Sequence, residues 1–269
     1  MEGEITMGPD YRNWVPKGMV ISLGIVAAVL AAGSAAIFGS WLPWDPTVKH
    51  LAGAALSLGA AGCLAGTAWS LYARQTFSYK GGRQLSRQII EGIAEYIMLP
   101  EGGLGLDVGC GSGALTIICA KRNPLGRMIG IDRWGIEYAS YSRKLCKLNA
   151  QAEGVDNVTF QKGDARHLDF PDETFDAVTS NYVYHNITGA NKQALLWETL
   201  RVLKKGGVFA IHDLMEPSRY GDMDKFLHML RKKGFQEVRL LSTANGIFMT
   251  RKEGKRLFLS GSTLLVGRK

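Results

Sequence analysis

Cysteine is scarce in this 269-residue sequence, which contains four. The four residues are Cys63, Cys110, Cys119 and Cys146. They form no C-x-x-C pair, and no histidine stands at zinc-binding spacing from them. We therefore expect neither a disulfide framework nor a metal site, but buried thiols in a reducing compartment.

Charge is missing from two long stretches near the N-terminus, residues 19–42 and 51–73. As helices, runs of this length rise about 35 Å, which is enough to cross a hydrocarbon core of roughly 30 Å. Aromatic residues close both runs, as in an interfacial belt: Trp41 and Trp44 the first, Trp69 and Tyr72 the second. We expect a transmembrane helical hairpin over residues 18–73.

A signal peptide and a soluble core hairpin fit these apolar runs less well. A cleaved signal peptide has a cationic start and a shorter apolar core, whereas this start is acidic. A hairpin in a soluble core would have polar faces, and neither run has one. Small residues are dense in the second run, at Ala55, Gly59, Gly62 and Gly66. Their spacing favours close helix contact, either with the first helix or with a second copy of the chain.

Positive charge is distributed unevenly around this hairpin. Arg12 and Lys17 precede it, and Arg74, Lys80, Arg83 and Arg87 follow it, while the loop between the runs carries only Lys49. The positive-inside rule then places both ends, residues 1–17 and the C-terminal part, on the cytoplasmic side. The first 73 residues have a net charge of −1 and the remainder +9. Anionic lipid headgroups or simple solubility explain this excess; no basic-aromatic module indicates nucleic acid.

The remainder of the chain alternates between strand and helix patterns. Strands are predicted near residues 104–108, 127–131, 157–161, 175–180, 207–212, 236–242 and 263–267, and helices near 83–98, 113–122, 135–151, 190–204 and 219–233. This alternation is typical of an α/β fold with a doubly wound, mostly parallel seven-stranded sheet. An antiparallel final strand is expected, since the last two strands lack a good helical crossover. Residues 74–100 would form a linker and a covering helix, and residues 101–269 the α/β domain.

A glycine-rich loop follows the first predicted strand, in the segment 104–115. Asp107 is followed by Gly109, Gly111 and Gly113, which gives G-x-G-x-G behind an acid. Glycine permits the backbone angles of a tight turn and lets a ligand approach the main chain. About 20 residues later, Asp132 ends the second strand, where a carboxylate can accept both hydroxyls of a ribose. An NAD-binding enzyme would share this acid.

Four motifs together resemble class I S-adenosylmethionine (SAM)-dependent methyltransferases, most closely the ubiquinone/menaquinone C-methyltransferase-like group, over roughly residues 79–215. They are the glycine loop, Asp132, the Gly163-Asp164-Ala165 run with the following Phe170–Asp176 segment, and Leu203-Lys204-Lys205-Gly206-Gly207. Lys205 departs from the proline that is usual there. The resemblance implies SAM as cofactor, contacted by Tyr79, Asp107, Gly109, Cys110, Gly111, Gly113, Asp132, Arg133, Asp164, Ala165 and Asn181. In particular, it implies that Asp164 accepts a hydrogen bond from the adenine amino group.

The fourth strand ends at Asn181, which the resemblance places beside the transferred methyl group. His185 is the candidate base if the acceptor must lose a proton, because imidazole titrates near neutrality. Tyr182 is the second candidate catalytic residue, and it and Tyr184 are expected to form walls of the acceptor site. His212 and Asp213, at the end of the fifth strand, face the same cleft by topology.

Three functions are consistent with the sequence. The leading one is a membrane-anchored SAM-dependent methyltransferase with a small apolar or lipid-like acceptor, since a hairpin would hold the cleft near the bilayer. The others are an NAD-dependent oxidoreductase and a non-catalytic SAM-binding membrane adaptor. Residues 248–259 carry four cations between apolar flanks, and we expect either a solvent-exposed hairpin or a lip on lipid headgroups.

Overall fold

The computed structural model describes residues 8–40, 43–135 and 140–269. Contacts divide the described chain into two compact units, one of residues 13–86 and one of residues 8–12 with 87–269. The predicted membrane anchor falls in the first unit, apart from residues 41–42. Residues 41–42, which include Trp41, and residues 1–7 lie outside the described residues.

Two long helices form most of the first unit. Helix α1 runs over Lys17–Gly39 and helix α2 over Pro46–Thr76, and both are long and apolar enough to cross a bilayer. Asp45 caps α2 by accepting from the backbone N–H groups of Thr47 (2.9 Å) and Val48 (3.2 Å). These helices match the two uncharged runs, while their insertion in a membrane stays a prediction.

The two helices pack through small residues and one polar contact. The Ser34 hydroxyl donates to the Gly53 carbonyl (2.9 Å) and lies 2.8 Å from the Ser57 hydroxyl. A Cβ on Gly59 would meet Leu30 at 3.2 Å and one on Gly66 would meet Leu23 at 3.6 Å, whereas one on Gly62 would meet nothing within 4 Å. Gly59 and Gly66 therefore face α1. Gly62 does not.

The second unit is built on a twisted sheet whose strands follow the predicted segments closely. They are β1 (Leu104–Val108), β2 (Arg127–Asp132), β3 (Val158–Lys162), β4 (Phe175–Asn181), β5 (Leu203–Leu214), β6 (Gln236–Ser242) and β7 (Ser262–Arg268). Within the described residues their order is β3-β2-β1-β4-β5-β7-β6. Among these described strands, β7 alone runs opposite to the other six. The predicted doubly wound, mostly parallel sheet is confirmed.

Of the remaining helices, the first precedes β1 and the others connect the strands. They are α3 (Leu85–Ala94), α4 (Ala114–Arg122), α5 (Arg143–Ala152), α6 (Lys192–Arg201), α7 (Pro217–Tyr220), α8 (Met223–Lys232) and α9 (Arg251–Arg256). Apolar side chains of the sheet are buried against them; the largest fully buried side chains include Phe175 and Phe209 on the strands and Phe226 on α8. The carboxyl ends of β1, β2, β4 and β5 meet at one edge, which is where a doubly wound sheet binds ligands.

Three predicted elements differ from the structure. The helix predicted at 135–151 begins at Arg143, because Ser142 caps it through the Leu145 N–H (3.1 Å); residues 136–139 lie outside the described residues. The helix predicted at 219–233 is split into α7 and α8 by Gly221, with a φ of 69°. The hairpin predicted at 248–259 contains α9 instead, which Thr250 and Glu253 start with a capping box.

The short segment before α1 packs with the second unit. The Asn149 side chain on α5 accepts from the Asp10 N–H (2.8 Å) and donates to the Asp10 carbonyl (3.0 Å). It also donates to the carbonyl of Ser112, in the glycine loop (2.9 Å). The Tyr11 hydroxyl donates to Glu153 (3.1 Å). One buried amide thus joins the N-terminal segment to the glycine loop.

Candidate active site

The glycine loop leaves β1 in the left-handed backbone region at each of its three glycines. The φ angles are 75° at Gly109, 55° at Gly111 and 83° at Gly113, values that side chains disfavour. The N–H groups of Gly109 and Cys110 both donate to the Ile131 carbonyl (2.8 and 2.9 Å), which ties the loop to β2. Gly113 then caps α4 at its N-terminus. The predicted strand, glycine turn and helix are all present.

Space around the loop differs from one glycine to the next. A Cβ on Gly109 would lie 2.3 Å from Val183, and one on Gly113 would lie 3.0 Å from the Phe160 ring. A Cβ on Gly111 would meet only Tyr141, at 4.0 Å. The main chain at Gly111 is therefore open on the side where a cofactor would lie, and the loop fits a ligand that stacks on its backbone.

Asp132 organises the opposite wall of this space. One of its carboxylate oxygens accepts from the Gly111 N–H (2.9 Å) and the other from the Trp134 N–H (2.8 Å). Each oxygen keeps a lone pair for a further donor such as a ribose hydroxyl. The Trp134 indole donates to the Gly111 carbonyl (3.0 Å), so this ring also borders the loop. The sequence analysis missed Trp134, and no pattern in the sequence pointed to it.

Two side chains at the loop, Asp107 at the end of β1 and Cys110, are buried and do not border the open space. Asp107 is buried and accepts a hydrogen bond from Thr116 on α4 (2.6 Å). Burial raises its pKa to about 7, with a further rise from Asp132, although the Thr116 bond opposes this. The Cys110 side chain is buried as well, and burial followed by the neighbouring Cys146 raises the pKa of its thiol. Asp107 thus links β1 to α4 underneath the glycine loop, and its direct contact with a cofactor stays a prediction.

The predicted adenine side lies in the loop after β3. One carboxylate oxygen of Asp164 accepts from the Arg166 N–H (2.9 Å), and the other lies 3.9 Å from the Arg133 guanidinium. Both side chains are partly exposed, whereas Ala165 is buried in the core. Asp164 is thus available at the surface of the loop, and its adenine contact stays a prediction.

A pair on α6 holds this loop, and the sequence analysis missed it. Arg201 donates to the carbonyls of Leu168 (2.9 Å) and Phe170 (2.9 Å) and to Asp172 (2.7 Å). Glu198 accepts from the Leu168 N–H (2.8 Å) and from Arg201, and the Arg201 bond is the main reason why its pKa is lowered. The segment after Asp164 is therefore clamped to α6.

At the end of β4, His185 pairs with a buried carboxylate. Its Nδ1 atom and its backbone N–H both bind Asp213, which also accepts from the Tyr220 hydroxyl (2.9 Å) and the Leu214 N–H (2.7 Å). Burial alone would raise the pKa of Asp213, but the bonds and charge of His185 and the other donors hold it below its ordinary value. The carboxylate is ionised and orients the imidazole, while the His185 side chain stays 16% exposed.

A second histidine fixes the side chain of Asn181. His212 is buried between the Asn181 amide oxygen (2.8 Å from Nδ1) and the Thr243 hydroxyl (2.8 Å from Nε2). Burial lowers the His212 pKa to about 3. The ring is therefore neutral near pH 7, with Nδ1 donating to Asn181 and Nε2 accepting from Thr243. His212 positions Asn181 and is not available as a base.

Tyr182 connects the two histidines. Its ring lies 4.6 Å from the His212 ring and 6.0 Å from the His185 ring, and its hydroxyl is 2.6 Å from the Ser262 hydroxyl. Burial raises its pKa, and its φ is 54°, a strained value for an aromatic residue. Tyr182 thus lies between Asn181 and His185, and its role beside the acceptor stays a prediction.

Two other tyrosines differ from Tyr182. Tyr184 is fully buried and bonds to Thr199 (2.6 Å), so the prediction that it forms a wall of the acceptor site is wrong; the chain turns inward there in a 3₁₀ turn at Tyr184–Asn186. Tyr79 lies in the unit of residues 13–86, and its cofactor role stays a prediction. Among the residues that the structure describes, no cluster of three His, Cys, Asp or Glu side chains could hold a metal ion.

The sheet order, the antiparallel β7 and the glycine loop define the class I methyltransferase fold. A family model described as a methyltransferase domain matches residues 106–211. A crystal structure of geranyl diphosphate C-methyltransferase from Streptomyces coelicolor, with geranyl diphosphate and S-adenosyl-L-homocysteine, has a TM-score of 0.52 at 14% identity, over 69% of this chain and 79% of that chain. This likeness shows the fold.

Curated relatives extend the similarity to sequence. The chain is 35% identical over 118 residues to demethylmenaquinone methyltransferase of Lactobacillus johnsonii, covering 44% of this chain and 46% of that protein. It is 29% identical over 146 residues to a sterol 24-C-methyltransferase of Gibberella zeae, covering 54% and 36% respectively. The chain spans less than half the length of these relatives. The matched part of the chain is a class I SAM-dependent methyltransferase domain, as the motifs predicted.

Proposed function

We propose that this protein is a membrane-anchored methyltransferase that uses SAM to methylate a small apolar or membrane-resident acceptor, with His185 as the base. The observation that carries the cofactor assignment is the contact between Asp132 and the Gly111 N–H, beside an open glycine loop. The acceptor assignment follows from the apolar helices and from the chemistry around His185.

On the cofactor side, each end of SAM has a matching group in the chain. The Gly111 backbone would support it, Asp132 would accept from its ribose hydroxyls, and Asp164 would accept from its adenine amino group. When bound, SAM supplies a methyl group that its sulfonium already makes electrophilic. The chain's own task is then to align the acceptor with that group and to exclude water.

On the acceptor side, the His185–Asp213 pair would receive a proton. Asp213 would hold Nδ1 as a donor, which leaves Nε2 as the nitrogen that would accept the proton. The O–H, N–H or activated C–H proton that the acceptor loses, as its new bond to the methyl group replaces the methyl–sulfur bond, would pass to Nε2. Such a base serves only an acceptor with a proton to lose.

The acceptor class rests on the surroundings of the domain. Helices α1 and α2 are apolar and long enough to span a bilayer, and a hairpin there would raise the local concentration of any apolar acceptor. The relatives named above act, by their names, on demethylmenaquinone and on a sterol. We place the domain on the cytoplasmic side, from the cations that flank the hairpin.

The experiment is turnover of methyl-labelled SAM by the full chain in a native lipid extract, with mass spectrometry of the lipids. We expect a labelled lipid-soluble product, which Asp132→Ala would abolish together with SAM binding in calorimetry. Asp156→Ala, at an acid beyond α5, serves as the matched control. Tight SAM binding without any labelled product would favour a non-catalytic adaptor, and binding of NAD in place of SAM would overturn the assignment.

A further inference from the structure

The connection between β6 and β7 is far longer than an antiparallel pair requires. Two such strands can be joined by a two-residue turn, whereas here residues 243–261 intervene. We call these residues the cleft insertion. β6 runs parallel to β5, since both are antiparallel to β7, so the insertion leaves the sheet at the same edge as the active site.

The inner side of the cleft insertion belongs to that site. Thr243 bonds to His212 (2.8 Å), and the Phe248 ring lies 5.5 Å from the His212 ring. Phe248, Met249 and Leu257 are buried. The insertion is therefore a folded wall of the cleft with an apolar inner side.

Its outer side has a different composition. Helix α9 exposes Arg251, Lys252, Lys255 and Arg256, which form i, i+4 pairs on one face. The helix contains one acid, Glu253, and its carboxylate is bound by the Thr250 backbone and hydroxyl (2.9 and 3.0 Å). Three net positive charges remain on six residues.

Two large apolar side chains stand out from the same insertion. Phe258 is 74% exposed and Ile247 is 53% exposed. Phe258 also has a φ of 58°, a backbone region that bulky residues rarely occupy. Cations on a helix with apolar side chains beside them match the boundary between anionic headgroups and acyl chains.

We propose that the outer side of the cleft insertion docks on an anionic phospholipid surface, with Phe258 and Ile247 entering the acyl boundary and the α9 cations contacting headgroup phosphates. The proposal rests on the membrane anchoring in the proposed function and adds a second contact, made by the cleft wall. An acceptor dissolved in the bilayer would then reach the active site beside the cleft insertion. A nucleic acid could bind the α9 cations, but it would give the exposed apolar side chain of Ile247 no partner.

The test uses the full chain in lipid nanodiscs with brominated acyl chains. Phe258→Trp introduces a reporter, and Leu125→Trp is the matched control because Leu125 is 68% exposed and precedes β2, at the opposite edge of the sheet. With phosphatidylglycerol present, we expect bromine to reduce the added emission of Trp at 258 by about twofold or more and to leave that at 125 unchanged. Ile247→Trp repeats the measurement if the first variant folds poorly.

The charge contribution is tested by Lys252→Gln with Lys255→Gln, against Lys144→Gln with Lys147→Gln on α5. We expect only the first pair to reduce quenching at position 258. Equal quenching at 258 and 125, or quenching that both lysine pairs leave unchanged, overturns the docking surface. It is also overturned if the protein binds RNA, if the α9 lysine pair and not the α5 pair abolishes that binding, and if bromine quenching at position 258 persists in the α9 pair. SAM binding, measured on the same samples, separates these outcomes from failure of the proposed function.

Discussion

His185 and Asp213 are joined twice, through the imidazole Nδ1 and through the histidine backbone N–H, although 28 residues separate them. The carboxylate is buried, and its remaining lone pairs are taken by Tyr220 and Leu214. This arrangement fixes which nitrogen of His185 carries the proton.

Asp213→Asn should therefore impair turnover more than binding. An amide can present its N–H₂ group to Nδ1 and favour the wrong tautomer, and general-base catalysis contributes about 100-fold or more. We expect kcat to fall by about that factor, with little change in the Kd of SAM. Tyr220→Phe, which removes one donor to the same carboxylate, should cost far less. A Kd that rises as much as kcat falls would contradict the orienting role of Asp213.

Gly109→Ala should be much more disruptive than an equivalent change at another positive-φ glycine. Gly109 and Gly102 have φ angles of 75° and 70°, but a Cβ would strike Val183 at 2.3 Å in the first case and meet nothing within 4 Å in the second. We expect Gly102→Ala to lower the unfolding free energy by about 1 kcal/mol and Gly109→Ala by about 3 kcal/mol. Adding Val183→Ala should recover part of the second loss. Chemical denaturation measures all three.

Asp107 should make the protein less stable as pH rises towards neutrality. Its folded-state pKa of about 7 exceeds that of an unfolded aspartate, so the folded form binds more protons between these values. The stabilisation is fully present below about pH 4 and is lost as pH rises through about 7. Thermal midpoints of the parent should therefore fall relative to those of Asp107→Asn between pH 5 and 8. Parallel pH curves for the two proteins would rule this out.

Arg201→Met should loosen the loop that carries Asp164. The variant removes the guanidinium that donates to the Leu168 and Phe170 carbonyls and to Glu198, and we expect it to lower the unfolding free energy by about 2 kcal/mol and to weaken SAM binding. Arg219→Met removes a single exposed ion pair with Glu216 and should change stability by less than about 0.5 kcal/mol. Calorimetry with SAM distinguishes the two variants. Equal SAM affinity in parent and Arg201→Met would show that the clamp does not serve the cofactor loop.

Local patterns were sufficient to predict most of the sheet. Strands β1, β2 and β4 are short, mostly apolar runs with glycine or acids near their ends, and the glycine loop has a recognisable signature. The same reasoning could not detect Gly221 as a helix break, because one glycine inside an amphipathic pattern is compatible with a continuous helix. The capping box of α9 was visible in the sequence as Thr250 and Glu253, but the four cations between apolar flanks favoured a hairpin.

The sequence predicted which residues lie at the strand ends around the site, but not which of their side chains contact each other. The pairing of His185 with Asp213 and of Asn181 with His212 depends on the register between β4 and β5, where Asn181 is directly opposite His212. That register is set by packing over the whole sheet and leaves no local trace in the sequence. For the same reason, the inward turn of Tyr184 towards Thr199 could not be anticipated.

Residues 8–12 determine how the chain enters the two apolar helices. Because this segment is bound to α5, the chain leaves the globular unit after Arg12 and returns to it at Arg87. The helices are thus an excursion from within one folded body, attached by two covalent connections. The first of these connections follows Arg12, and its segment is joined to the glycine turn by one buried amide, that of Asn149.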